Sequence, residues 1–90
     1  MNFFRNLIIN EMDESKLIGL YPNPVKNEFI INAIETAYKI EVIDCLGKVI
    51  LECTDIPTNN KINLDNLKNG LYYVNVFLKT GVNRIKILKQ

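Results

Sequence analysis

Ninety residues with a formal net charge of +1 leave room for one hydrophobic core and no second, since an independent domain usually needs roughly 50–200 residues. The composition, 48% hydrophobic and 23% charged, is that of a folded globular domain. It also lacks the clustered Lys and Arg face that a nucleic-acid partner requires. With no histidine, two cysteines and Ser15 as the only serine, the chain offers neither an ordinary zinc set nor an activated hydroxyl nucleophile.

Residues 1–12 carry one cation, Arg5, and an apolar run, Leu7-Ile8-Ile9, that Asn10 and Glu11 interrupt. The run is too short for a signal-peptide core or a bilayer span. Phe4, Ile8 and Met12 stand at helical spacing, so a short amphipathic turn and an extra strand both remain open. Glu11, Asp13, Glu14, Ser15 and Lys16 read as a polar linker that runs to Gly19, which makes 1–19 a tail and linker and starts the domain near Leu20.

Pro22 and Pro24 each fix φ and push the preceding residue toward extended geometry, so Tyr21-Pro22-Asn23-Pro24 is neither helix nor central strand. Pro24-Val25-Lys26-Asn27 suits a turn. Strands are then expected at Phe29–Ala33 and Ala37–Asp44, the latter with Tyr38, Ile40 and Val42 on one face and Lys39 and Glu41 on the other. A turn at Asp44-Cys45-Leu46-Gly47, with Gly47 suited to positive φ, leads back through Lys48–Cys53 as a hairpin. After a loop from Pro57 to Asn60, Lys61–Leu64 is a short strand. Asp65–Gly70 could form one helical turn, with Asp65 as cap and Gly70 as terminator.

The strongest strand is Leu71–Lys79, with Tyr72, Val74, Val76 and Leu78 on one face and Asn75 and Lys79 on the other. Thr80–Asn83 turns the chain into Arg84–Lys89, with Ile85 and Ile87 inward and Arg84, Lys86 and Lys89 outward or at the rim. Six or so short strands with turn signals every eight to twelve residues imply an all-β, small antiparallel sandwich. Cys45 in a turn and Cys53 near the far end of the next strand should sit more than about 15 Å apart at roughly 3.3 Å per residue, against the 4.4–6.8 Å a disulfide spans. Two free thiols are expected.

Four features in this order resemble the type A C-terminal sorting domain of the type IX (Por) secretion system. They are Tyr21-Pro22-Asn23-Pro24, Ile40-Glu41-Val42-Ile43-Asp44 leading to Gly47-Lys48, Ile62–Leu67 ahead of Gly70-Leu71-Tyr72, and the closing Arg84-Ile85-Lys86-Ile87-Leu88-Lys89; together they cover residues 20–90. The resemblance implies an Ig-like β-sandwich of about seven strands that binds no cofactor and is not an enzyme. It implies a fused cargo, export through an outer-membrane translocon by way of the periplasm, removal of the domain by a sortase-like peptidase, and a product that is secreted or held at the outer cell surface. Members of the family normally follow a signal peptide and a cargo domain. No membrane insertion and no nucleic acid are expected.

On that reading the candidate residues for translocon recognition are Pro22, Asn23, Pro24, Gly70, Tyr72, Arg84, Lys86 and Lys89. The candidate cleavage region runs from Asp13 to Gly19, including Ser15 and Gly19, because a peptidase needs an exposed extended segment. Each has a purely architectural reading too. The prolines block edge pairing, Gly70 ends a turn, Tyr72 anchors the core, and the closing cations keep an edge strand from pairing. Glu41, Asp44, Asp55 and Asp65 show no spacing that isolates an acid and a base. The alternative function is a stand-alone Ig-like adhesion or carbohydrate-binding module, for which Tyr73 and Phe77, opposite in face to Tyr72 and Val76, would have to form an open aromatic platform.

Overall fold

The structure is a computed structural model and describes residues 17–90. The described residues form seven strands: β1 (Leu17–Tyr21), β2 (Glu28–Ala33), β3 (Ala37–Asp44), β4 (Val49–Cys53), β5 (Lys61–Asn63), β6 (Gly70–Leu78) and β7 (Gly81–Lys89). They lie in two antiparallel sheets, one ordered β1-β2-β5 and the other β4-β3-β6-β7. β1, β2 and β5 take the A, B and E places of an immunoglobulin-type sandwich, and β3, β6 and β7 the C, F and G places; β4 joins β3. The small Ig-like sandwich of seven strands is thus the observed fold.

Period-two alternation builds the core. Ile40 and Val42 of β3, Val74 and Val76 of β6, and Phe29 of β2 are fully buried. Ile31, Ile62, Leu64, Tyr72, Leu78 and Ile87 join them in one cluster between the sheets. Each such side chain contributes on the order of 1.5–3 kcal/mol by leaving water. Tyr72 sits near the start of β6, and its hydroxyl donates to the carbonyl of Lys68, four residues upstream, as in the tyrosine corner of Ig-type sandwiches.

Several expectations shift. β1 begins at Leu17, so the segment from Leu17 to Gly19 is paired strand rather than linker, with Gly19 opposite Asn32. β7 begins at Gly81, because Lys79-Thr80 closes a two-residue hairpin between Leu78 and Gly81. Asp65–Asn69 is a turn, not a helical one. The Asn63 side-chain oxygen accepts the Asp65 N–H at 2.8 Å, and this local bond competes with helix. Gly70 therefore opens β6, at φ 152°, where a side chain would strain the backbone. Tyr38 points out, 58% exposed, because the β3–β6 register slips between Ala37 and Lys39, and a bulge re-aims a side chain.

The β3–β4 turn follows expectation. Gly47 has φ 89°, while the Asp44 carboxylate accepts the N–H groups of Leu46 and Lys48, each at 2.9 Å. Cys45 and Cys53 are both free thiols.

Candidate functional site: a latch between the leading loop and the last strand

The segment Pro22–Val25 folds back onto the outer edge of β7. Asn23 Nδ2 donates to the Lys86 carbonyl at 3.1 Å, and the Leu88 N–H donates to Asn23 Oδ1 at 3.3 Å. The Val25 N–H donates to the Leu88 carbonyl and the Gln90 N–H to the Val25 carbonyl, both at 2.7 Å. These last bonds belong to a parallel bridge between Val25 and Lys89.

The Asn23 amide thus meets β7 as a neighbouring strand's peptide group would. Proline lacks an N–H and cannot supply such a ladder, so the sequence Pro-Asn-Pro leaves the Asn side chain to do it. Both X–Pro bonds, Tyr21–Pro22 and Asn23–Pro24, are cis. Val25 is fully buried, which corrects its expected place in a turn: its side chain enters the core while its backbone holds the strand. An apolar residue between Pro24 and the polar pair Lys26-Asn27 was the available signal.

The structure brings Asn23 to Lys86 and separates the three closing cations. Lys86 is exposed on the outer face of the four-stranded sheet, opposite Tyr73. Lys89 shares the inner-face parity of Ile87, is only 7% exposed and lies opposite Gly70, which corrects the expectation of a side chain outward or at the rim. Arg84 does point outward, but its Nε donates to Asn75 Oδ1 at 2.9 Å and its guanidinium lies 5.4 Å from the Tyr73 ring centre. Pro22 and Pro24 are exposed beside the latch, whereas Tyr72 is buried.

Arg84 ends a polar row across all four strands. Asn75 Nδ2 donates to Glu41 at 3.3 Å, and Lys39 bridges Glu41 at 3.4 Å and Glu52 at 2.8 Å. Hydrogen bonding to Glu52 holds the Lys39 ammonium above the usual lysine range; desolvation opposes that rise and Glu41 adds to it. The same ammonium lies 5.0 Å from the Phe77 ring centre, and Tyr38 packs against that ring at 6.1 Å. Tyr73 and Phe77 are accordingly half-buried under cations.

Of the cleavage candidates, Ser15 lies outside the described residues, and Gly19 is held within β1. Among the described residues no group of His, Cys, Asp and Glu could hold a metal ion.

The family model described as the secretion system C-terminal sorting domain matches residues 19–90, a span that contains the latch and all of β2–β7. The chain belongs to this family. No curated protein and no solved structure matches it. A sorting domain works with the type IX secretion system, and its cargo is destined for the cell exterior or surface; the family is not an enzyme family. In this sorting domain Tyr72→Phe is expected to lower stability by about 0.5–1.5 kcal/mol, since it removes the hydroxyl's bond to the Lys68 carbonyl at the corner. Urea unfolding followed by far-UV circular dichroism measures the change, and an unaltered midpoint would deny the corner that role.

Proposed function

We propose that this sorting domain delivers a fused cargo from the periplasm to the type IX translocon by presenting the latched end of the sandwich as its docking shape. The observation that carries the reading is the Asn23 clamp on Lys86 and Leu88, which makes one surface of two segments 63 residues apart in sequence. Lys86 supplies a charge at the rim of that surface, and Pro22 and Pro24 stiffen the approach to it. Gly70, Tyr72 and Lys89 support the shape from within, around the start of β6, and Arg84 braces the outer face through Asn75.

A sortase-like peptidase then removes the domain. Because a peptidase binds its substrate in extended form, a segment already paired in a sheet is a poor target. Gly19 is paired, so the cut falls in the Asp13–Lys16 part of the candidate region. Water as the acceptor releases the cargo, and a surface acceptor tethers it. The adhesion alternative needs open aromatic faces, and Arg84 and Lys39 lie over those of Tyr73 and Phe77.

The test fuses the full chain behind a periplasmically exported reporter in a bacterium that has the type IX apparatus. The reporter is expected in the medium or on the cell surface. Asn23→Ala is expected to hold it in the periplasm while costing each lost bond only about 0.5–1.5 kcal/mol of stability. Retention of the unmodified fusion in the periplasm sinks the sorting role. Normal export of the Asn23→Ala fusion removes the latch from recognition.

A further inference from the structure

Eight large apolar side chains are exposed among the described residues, and four of them, Leu46, Val49, Leu71 and Leu88, gather at one end of the four-stranded sheet. The register places Val49, Leu71 and Leu88 on its outer face, with Ile43 and Tyr73 between Val49 and the Leu71–Leu88 pair. Val49 lies opposite Ile43, Ile43 opposite Tyr73, Tyr73 opposite Lys86, and Leu71 opposite Leu88. Leu46, 89% exposed, tips the adjoining turn. With strands about 4.8 Å apart, the strip crosses roughly 14 Å of sheet.

Ile43 at its centre is only 8% exposed, although it lies outside the core cluster between the sheets. Its neighbours on the outer face therefore already keep water from it. A dry apolar centre with a polar rim is the anatomy of a protein–protein contact.

The charges at the rim are cationic. Lys48 and Lys86 are exposed beside the strip. The Asp44 carboxylate, in the adjoining turn, is held in its own loop by bonds from Leu46 and Lys48, and Glu52 and Glu41 one row away are bridged by Lys39. A second copy meeting this face about a two-fold axis would set like charges against each other. A membrane surface gains only about 1 kcal/mol per lysine, too little from two.

We propose that the secretion machinery grips the sorting domain on this strip, through a protein surface that is apolar at its centre and edged by carboxylates. The inference rests on the sorting role and extends the latched end across the outer face, since Lys86 belongs to both: its carbonyl to the latch, its side chain to the rim.

The experiment uses the full chain fused to the exported reporter, with two pairs of substitutions at exposed positions. Leu46→Glu with Leu71→Glu alters the centre, and Lys48→Glu with Lys86→Glu reverses the rim. Extracellular reporter is expected to fall by about tenfold or more in each, the size of a hot-spot loss. Ile34→Glu with Val82→Glu, exposed positions away from the strip, is expected to export normally, and all three proteins are expected to melt as the parent does. Normal export of both strip variants, with the parent exported, overturns the strip and leaves the sorting role standing; an unexported parent defeats the sorting role first and the strip with it. A dimer in sedimentation that Leu46→Glu with Leu71→Glu disperses assigns the strip to a second copy and overturns the proposal. Flotation with anionic phospholipid vesicles that Lys48→Glu with Lys86→Glu abolishes assigns it to a membrane, with the same result.

Discussion

Deleting Ile85–Gln90 is expected to leave the domain unfolded at 25 °C. The deletion removes Ile87, 1% exposed in the core, and losing such a side chain costs about 2–5 kcal/mol even when the backbone stays. It also removes the β7 partners of Gly70 through Val74 and the four bonds of the latch, each of the latter contributing about 0.5–1.5 kcal/mol. A domain of this size has a total stability near the low end of roughly 5–15 kcal/mol, so the sum exceeds what is available. Far-UV circular dichroism should show the loss of sheet and of any cooperative melt. A truncated chain that still melts in one sharp transition would mean that the end of β7 is an accessory to the fold. The consequence for the sorting role is direct: failure of a truncated domain to be exported reports on unfolding, and only exposed single substitutions such as Asn23→Ala or Lys86→Glu isolate recognition.

Phe29→Ala is expected to be the most damaging single substitution in the core. Phe29 heads the largest fully buried side chains; on β2 it lies opposite Ile62 of β5, and it belongs to the one core cluster that also holds Ile40, Val42, Val74 and Val76 of the other sheet. Removing its ring costs about 3–5 kcal/mol, comparable with the whole stability of a small domain. The melting temperature should fall by more than about 10 °C, since 1 kcal/mol corresponds to roughly 4–8 °C at this size. Leu46→Ala, at 89% exposure, serves as the control and should leave the melt unchanged. A Phe29→Ala protein melting within a few degrees of the parent would show a core able to collapse around the vacancy.

Much of the fold was legible because its signals are local. Val74, Val76 and Leu78 alternate with Tyr73, Asn75 and Phe77, and that period of two specifies both a strand and its buried face. Asp44-Cys45-Leu46-Gly47 carries its own turn chemistry, and the Asp44 carboxylate acts as such a residue does in an isolated turn. Asp65–Gly70 misled because a cap-like Asp and a terminal Gly also suit a short irregular turn once Asn63 takes the Asp65 N–H. The early start of β1 was hidden by Gly19, whose permissive backbone reads as a linker until Asn32 is found opposite it.

For the site, the residue types were legible and their arrangement was not. Tyr21-Pro22-Asn23-Pro24 and Arg84–Lys89 were both singled out as sequence motifs, yet nothing in either says that Asn23 bonds the backbone of the other. Likewise Arg84, Lys86 and Lys89 look equivalent in one dimension. In the structure one is bound to Asn75, one is exposed at the rim and one is turned inward.

By itself the sequence determined an all-β chain with one core, two free thiols and its turns largely in place, and it carried the resemblance by which its family was recognised. These follow from composition, from the alternation of side chains along each strand and from the fixed conformational preferences of Pro and Gly, all of which act within a few residues. Only the tertiary structure decided that β3 pairs with β6, that Tyr38 turns outward, that Asn23 and Val25 close the edge of β7, and that Leu46, Val49, Leu71 and Leu88 share one end of a sheet. Those outcomes depend on hydrogen bonds and packing between segments tens of residues apart, where a one-residue slip in register exchanges the buried and exposed faces.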